Sequence, residues 1–255
     1  MQGAAIGRSA CYDFTRASSG IMLATIADNL TRLQERIAAA AQRAGCAAEE
    51  ITLIGVSKTH PAVKIREAFA AGLRHFGENR VQEWEGKRAA LADLPATWHL
   101  IGHLQSNKAA RAANAFTSID SLDDWALAQR VDRAAAEKLS AEPMRVLIEV
   151  HLGGEETKSG VAEGELPALA EKAVQLEKLR LAGLMCIPPF LEDPEEVRPY
   201  FARLRQLRDN LETRLGRRLP VLSMGMSHDF EAAILEGATE VRVGTALFGT
   251  RQSAQ

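Results

Sequence analysis

Ile51-Thr-Leu-Ile-Gly-Val-Ser-Lys58 is a short, largely β-branched and apolar run that stops abruptly at a serine and a lysine. So short an apolar run fits a strand covered on both faces, as in a parallel sheet flanked by helices. Lys58 then stands at the strand's carboxyl end, where α/β proteins place their chemistry. Apolar walls there would disfavour its charged form, lower its pKa and leave a neutral amine that attacks aldehydes. The alternative is a strand that simply ends in a surface lysine.

Working outward, strand-like segments recur at 51–57, 74–76, 97–101, 116–120, 145–151, 179–185, 220–223 and 239–243. Helical patterns fill the intervals at 62–72, 79–92, 105–113, 122–139, 165–177, 194–215, 229–236 and 246–250. Ser121-Leu-Asp-Asp124 predicts a helix cap, and Asp193-Pro194-Glu-Glu predicts a capped start with proline at the first helical position. A leading helix from Met22 carries Ile26, Leu30, Leu33 and Ile37 on one stripe and stops at Gly45. Strand and helix in strict alternation imply parallel strands, and eight such units imply a single (β/α)8 barrel with an extra N-terminal helix. An open doubly wound sheet fits less well, since no GxGxxG turn follows the first strand. No linker divides the chain, so one barrel domain is expected over 21–251.

Composition narrows the classes of function. The chain has 255 residues, with 46% hydrophobic and 25% charged. Its 31 basic and 33 acidic side chains leave a net charge of −2, and no basic stripe points to nucleic acid. Cys11, Cys46 and Cys186 form no CxxC pair, which argues against a disulfide framework or zinc site and suits a reducing cytoplasm. No apolar run is long enough for a membrane span. Residues 1–20 are rich in Gly, Ala, Ser and Arg and lack the apolar core of a secretory signal. A disordered extension, or a true start at Met22, is expected.

The strand ends concentrate polar and glycine residues: Ser57-Lys58, Gly77-Glu78-Asn79, Gly102-His103, Asp120-Ser121, His151, Met185-Cys186, Ser223-Met-Gly225 and Gly244-Thr245. In a barrel they share one rim. Ser227 and Thr245, each entering a helix, either cap those helices or face a phosphate with the adjoining backbone N–H groups. Arg242, between two valines, points either outward to a helix or inward beneath a ligand. If inward, it stands about 6–7 Å from the phosphate turn, the reach from a phosphate to the far nitrogen of a pyridine ring. Lysine, phosphate cup and ring partner together suggest pyridoxal phosphate. The histidines show no ligand spacing, His99 and His103 included, so no metal is expected.

Val56-Ser57-Lys58, Gly77-Glu-Asn79 with Val81-Gln-Glu83, Trp98-His-Leu-Ile-Gly102 with Leu104-Gln-Ser-Asn-Lys108, Lys158-Ser-Gly160, Gly183-Leu-Met185, Leu222-Ser-Met-Gly-Met-Ser227 and Val241-Arg-Val-Gly-Thr245 carry a closer likeness. Over about residues 23 to 251 the chain resembles the YggS/PROSC family of pyridoxal phosphate homeostasis proteins. The resemblance implies a barrel of the alanine racemase N-terminal type without the racemase's C-terminal β-domain. It implies Lys58 as the Schiff-base lysine, Ser227, Gly244 and Thr245 on the phosphate, and Arg242 on the pyridine nitrogen. Asn79, Met224 and His99 would line the pocket, and Lys158 matches a basic position for a second cofactor contact. The implied task is to hold pyridoxal 5'-phosphate, buffer it and hand it to apo-enzymes, as a cytoplasmic monomer or weak dimer. The competing class is a pyridoxal-phosphate enzyme acting on amino acids. A racemase needs two bases, and the only tyrosines are Tyr12 in the extension and Tyr200 on a predicted outer helix.

Overall fold

The computed structural model describes residues 24–138, 142–153 and 159–249. The 1–20 extension, Met22, Lys158 and the end of the last predicted helix at 250 lie outside them. Eight parallel strands close into a barrel in simple chain order, with β1 (Thr52–Val56) pairing both β2 (His75–Glu78) and β8 (Glu240–Val243). Between these run β3 (Thr97–Leu100), β4 (Ser118–Leu122), β5 (Met144–Glu149), β6 (Leu179–Met185) and β7 (Val221–Ser223).

The leading helix α1 (Ile26–Ala44) begins at a Thr25–Asp28 capping box and ends at Gly45 in the left-handed region, φ 75°. Its stripe of Ile26, Leu30, Leu33 and Ile37 is buried, each side chain contributing about 1.5–3 kcal/mol. Asn29 ties it to the final turn by donating to the Leu247 carbonyl at 3.0 Å. The outer shell then follows as α2 (Ala62–Ala70), α3 (Val81–Arg88), α4 (Ala109–Ala115), α5 (Trp125–Ala136) and α6 (Leu166–Ala173). It continues with α7 (Pro194–Leu215), α8 (Phe230–Leu235) and α9 (Thr245–Phe248). Asp193 caps α7 with Pro194 in first place, as expected.

Of the boundaries that differ from the sequence reading, three bear on how the strand ends are read. Strand β2 extends to Glu78, whose backbone pairs with Leu100 of β3, so a residue that looks like loop is fully buried strand. Strand β4 begins at Ser118, because the Phe116 N–H still donates to Ala112 and belongs to the end of α4. The cap of α5 is Asp124, which accepts from the Leu127 N–H at 2.8 Å, while Ser121 lies inside β4 and donates to the Gly102 carbonyl.

The large apolar core lies between strands and helices. Inside the barrel, among the described residues, a small apolar cluster forms, Leu147, Ala182 and Met185 against Val221. Much of the remaining interior is polar. His99 bonds to Asp120 at 2.9 Å through Nδ1 and to His75 at 3.1 Å through Nε2. Arg145 on β5 meets Glu240 on β8 at 2.7 Å, across the barrel's interior because those strands are not neighbours. This layer seals the barrel beneath the strand ends.

Candidate functional site

Above the polar layer, at the carboxyl ends of the strands, lies a cavity of about 360 Å³. That is the size of a small-ligand site. Lys58, Asn79, Ser227, Arg242, Gly244 and Thr245 all line it. A larger cleft of about 690 Å³ by α3 shares Asn79 with it but contains neither Lys58 nor Arg242.

Arg242 points inward and is 3% exposed. Its guanidinium donates to Ser223 Oγ and to the Cys186 carbonyl, both at 2.8 Å. Both acceptors are neutral, and among the described residues no carboxylate pairs with it. A buried cation left in this state can meet an acceptor from a ligand. Burial pushes the Cys186 thiol up to about 12, so it stays protonated and serves here only through its backbone.

The turn after β8 forms the second feature. Ser227 Oγ accepts from the Gly244 N–H at 3.3 Å and the Ala246 N–H at 3.4 Å. Ser227 therefore reaches across to the start of α9 instead of capping its own helix. Gly225, at φ 90°, makes the loop that presents it, and a Cβ there would sit 2.8 Å from the Phe230 Cα. A hydroxyl and the N–H groups of Gly244 and Ala246 thus converge where an anion would be held. Asp229 accepts from the Met226 N–H at 2.5 Å and steadies the loop, and burial raises its carboxyl's pKa.

The Lys58 side is built from charges. Ser57 Oγ donates to Glu78 Oε1 at 2.6 Å. Lys87 Nζ donates to the Ser57 carbonyl at 3.0 Å, to Glu78 at 3.0 Å and to Glu83 at 2.7 Å. Glu83 also accepts from the Thr59 N–H. Thr59 is the one non-glycine with positive φ, 65°, among the described residues, a conformation that costs a β-branched residue about 1–3 kcal/mol. Burial raises the Glu78 carboxyl, with Ser57 and Lys87 opposing it. Burial also pushes Glu83 upward, but hydrogen bonds from Lys87 and the Thr59 N–H outweigh it and leave it low.

Of the residues singled out in the sequence, Lys58, Asn79, Ser227, Arg242, Gly244 and Thr245 come together on this cavity. His99 and Met224 do not line it: both are fully buried, His99 in the polar layer below and Met224 in the outer apolar core. Inward-facing residues of successive strands occupy different depths, so His99 near the end of its strand still falls one layer down. The atoms of His99, Asp120 and Glu240 lie within 4.8 Å of one another. Both ring nitrogens of His99 are engaged and Glu240 pairs with Arg145, so the trio reads as a hydrogen-bonded layer. Sequence reasoning missed Ile187 and Phe190 on the cavity wall, where Met226 and His228, given no role from the sequence, also stand. It also passed over Lys87 and Glu83 beneath Lys58, for which the i, i+4 spacing was the available signal.

The chain matches the model of the alanine racemase N-terminal domain over residues 21–252. It is 49% identical over 225 residues to the pyridoxal phosphate homeostasis protein of Aquifex aeolicus, covering 88% of this chain and 98% of that one. The chain belongs to the pyridoxal phosphate homeostasis protein family. Within that family, the Pseudomonas aeruginosa member is 50% identical over 229 residues, covering 90% of this chain and 97% of its own. The solved structure of PipY from Synechococcus elongatus, with PLP bound, is similar at a TM-score of 0.79 and 44% identity, covering 88% of this chain and 100% of that chain. Alanine racemase of Clostridium difficile shares the fold at a TM-score of 0.68 and 18% identity, with 89% of this chain matched to 58% of that one. The family members therefore align with the whole barrel, and the racemase with its fold alone.

Proposed function

We propose that this chain binds pyridoxal 5'-phosphate as a Schiff base on Lys58 and serves to hold and deliver it in vitamin B6 homeostasis. The observation that carries the reading is the cavity itself, lined by a lysine, a hydroxyl-and-amide cup and an arginine whose hydrogen-bond partners are neutral. The relatives' names and PipY's bound PLP point the same way. The cofactor supplies an aldehyde that condenses with a neutral lysine amine, forming a C=N bond with loss of one water.

The chain's own residues would do the rest. Ser227 Oγ and the N–H groups of Gly244, Thr245 and Ala246 would hold the phosphate. Arg242 would face the ring nitrogen, and because guanidinium does not surrender its proton, that nitrogen stays unprotonated and the ring withdraws electrons weakly. Asn79 would stand beside the ring. Of the two tyrosines, Tyr200 stands on α7 off the cavity wall and Tyr12 lies outside the described residues. This arrangement favours a carrier over a racemase, with apo-enzymes that use the cofactor as recipients. A monomer or weak dimer in the cytoplasm fits that task. Among the described residues no helix is long and apolar enough to cross a membrane.

The visible absorption of purified protein with pyridoxal phosphate, beside that of Lys58→Ala, tests the reading. A yellow band in wild type that Lys58→Ala lacks is expected. No band in wild type sinks the cofactor assignment, and a band that persists in Lys58→Ala moves the linkage to another lysine. Exchange of an amino acid's α-proton in heavy water, dependent on Lys58, would replace the carrier with an enzyme.

A further inference from the structure

We propose that Glu83 and Lys87 are positioning residues for Lys58, bracing the backbone on both sides of it so that its amine stands in one place in the cavity. The inference rests on the function proposed above only for the meaning of that placement; the brace is a property of the protein alone.

Residues 57 to 60 form a turn, with the His60 N–H donating to the Ser57 carbonyl at 3.1 Å. The third position of such a turn, when left-handed, commonly holds glycine or asparagine. Here it holds Thr59, at φ 65°. The direction of the Lys58 side chain depends on the two peptide planes that flank its Cα. The Ser57 carbonyl belongs to the first, and Lys87 Nζ holds it at 3.0 Å. The Thr59 N–H belongs to the second, and the Glu83 carboxylate holds it. Glu83 and Lys87 pair with each other at 2.7 Å on successive turns of α3. Glu78, fully buried behind them, accepts from Lys87 and from the Ser57 hydroxyl, closing the set.

A glycine at 59 would make this turn without strain, so three ionisable groups are not needed merely to form it. They select one turn, and they do so with charges whose burial is costly unless paired. Fixing both planes removes the freedom of Lys58 at its root. A fixed root is what a nucleophile aimed at one carbonyl position requires. Glu83 and Lys87 touch neither the cup nor Arg242, so they act through Lys58.

The test uses full-length protein without cofactor and reads Lys58 directly. Trinitrobenzenesulfonate labels lysine amines, and mass mapping gives the rate at Lys58 as a function of pH. We expect Glu83→Ala to change that rate about fivefold or more and to move its pH midpoint. Glu83→Gln, which keeps an oxygen for the Thr59 N–H, should restore much of the rate. With pyridoxal phosphate added, Glu83→Ala should weaken the visible band's apparent affinity about tenfold, while competition by inorganic phosphate changes less than about twofold. If in Glu83→Ala the rate and affinity stay within twofold of wild type and the pH midpoint does not move, the brace is refuted. Equal losses in Glu83→Gln and Glu83→Ala, tracking a fall in the urea midpoint, refute it too, since that is a structural role alone. Should Glu83→Ala fail to fold, Lys87→Gln is judged by the same limits. Because labelling needs no cofactor, a wild type that shows no visible band would strike the proposed function and leave the brace to its own numbers.

Discussion

Glu240 and Arg242 are two residues apart on β8, both inward and both nearly fully buried, yet they belong to different regions of the barrel. Glu240 sits in the lower layer, where Arg145 faces it and His75, His99 and Asp120 bond in sequence. Arg242 sits in the upper layer, where only a hydroxyl and a carbonyl oxygen meet it. Below, charge is answered by charge and the layer closes the barrel. Above, a cation hydrogen-bonds only to neutral oxygens, with the Glu149 and Asp229 carboxylates acting on it from beyond ion-pair distance, and it lines an open cavity. Buried polarity by itself therefore does not mark a site. The mark is a buried charge on a cavity wall with no ion-pair partner among the described residues.

The largest effect should come from breaking the lower layer. Asp120→Ala strips the partner from His99 and leaves Arg145 with one acid fewer nearby, and should cost about 3–5 kcal/mol in urea unfolding. Its folded fraction should still give the Lys58 band at unchanged wavelength. A stable Asp120→Ala that fails to bind cofactor would reverse the assignment of the two layers.

Arg242→Met should show the opposite balance. It removes hydrogen bonds to neutral oxygens, costing about 1–3 kcal/mol, and weakens pyridoxal-phosphate binding on the order of tenfold or more. Titration followed at the visible band checks it. Unchanged affinity would mean that the upper cation is answered within the protein after all.

A pH series sharpens the contrast further. Burial, with His99 and Arg145 adding to it, lowers His75 from 6.5 to about 4. The unfolded chain therefore binds that proton first as pH falls, so stability declines from about pH 6.5 and this contribution levels off near pH 4. Burial pushes the Asp120 carboxyl up, but the His99 ring and Arg145 outweigh it and leave it low, so its contribution is lost at more acidic pH still. Urea midpoints between pH 7 and pH 4 should fall, and His75→Gln should flatten that slope. An equally steep slope in His75→Gln places the proton elsewhere.

The smallest expected effect is at the cavity mouth. Phe190 is 73% exposed and tilts against His228 at 5.4 Å between ring centroids. Phe190→Ala should leave stability within about 0.5 kcal/mol. Cofactor release, followed by transfer to an apo-enzyme, should quicken only a few-fold. A large change would move the release step from the charged layers to this apolar rim.

Much of the fold was legible because each strand is a short apolar run and each helix a stripe with its own stop, and such patterns are local. Gly45, Asp193 and Pro194 act as their types predict. Glu78 and Ser121 misled because their polarity is satisfied by other elements of the fold, Lys87 on α3 and the Gly102 carbonyl in the turn after β3. The site divides in the same way. Lys58, Asn79, Ser227, Arg242, Gly244 and Thr245 could be named because strand ends are marked by residue type. His99 could not be separated from them, since its strand position does not give its depth.

Sequence alone determined the eight-unit alternation, the lysine at the end of the first strand and the glycine-and-hydroxyl turns at the last two. Those follow from periodicity and local backbone preference, which need no knowledge of neighbours. Only the tertiary structure decided that Arg242 faces inward with neutral partners, that His99 belongs to a sealed layer, and that Glu83 and Lys87 brace Lys58. Each of these depends on which charges closure of the barrel brings within a few ångströms, and electrostatic balance is a property of that assembly.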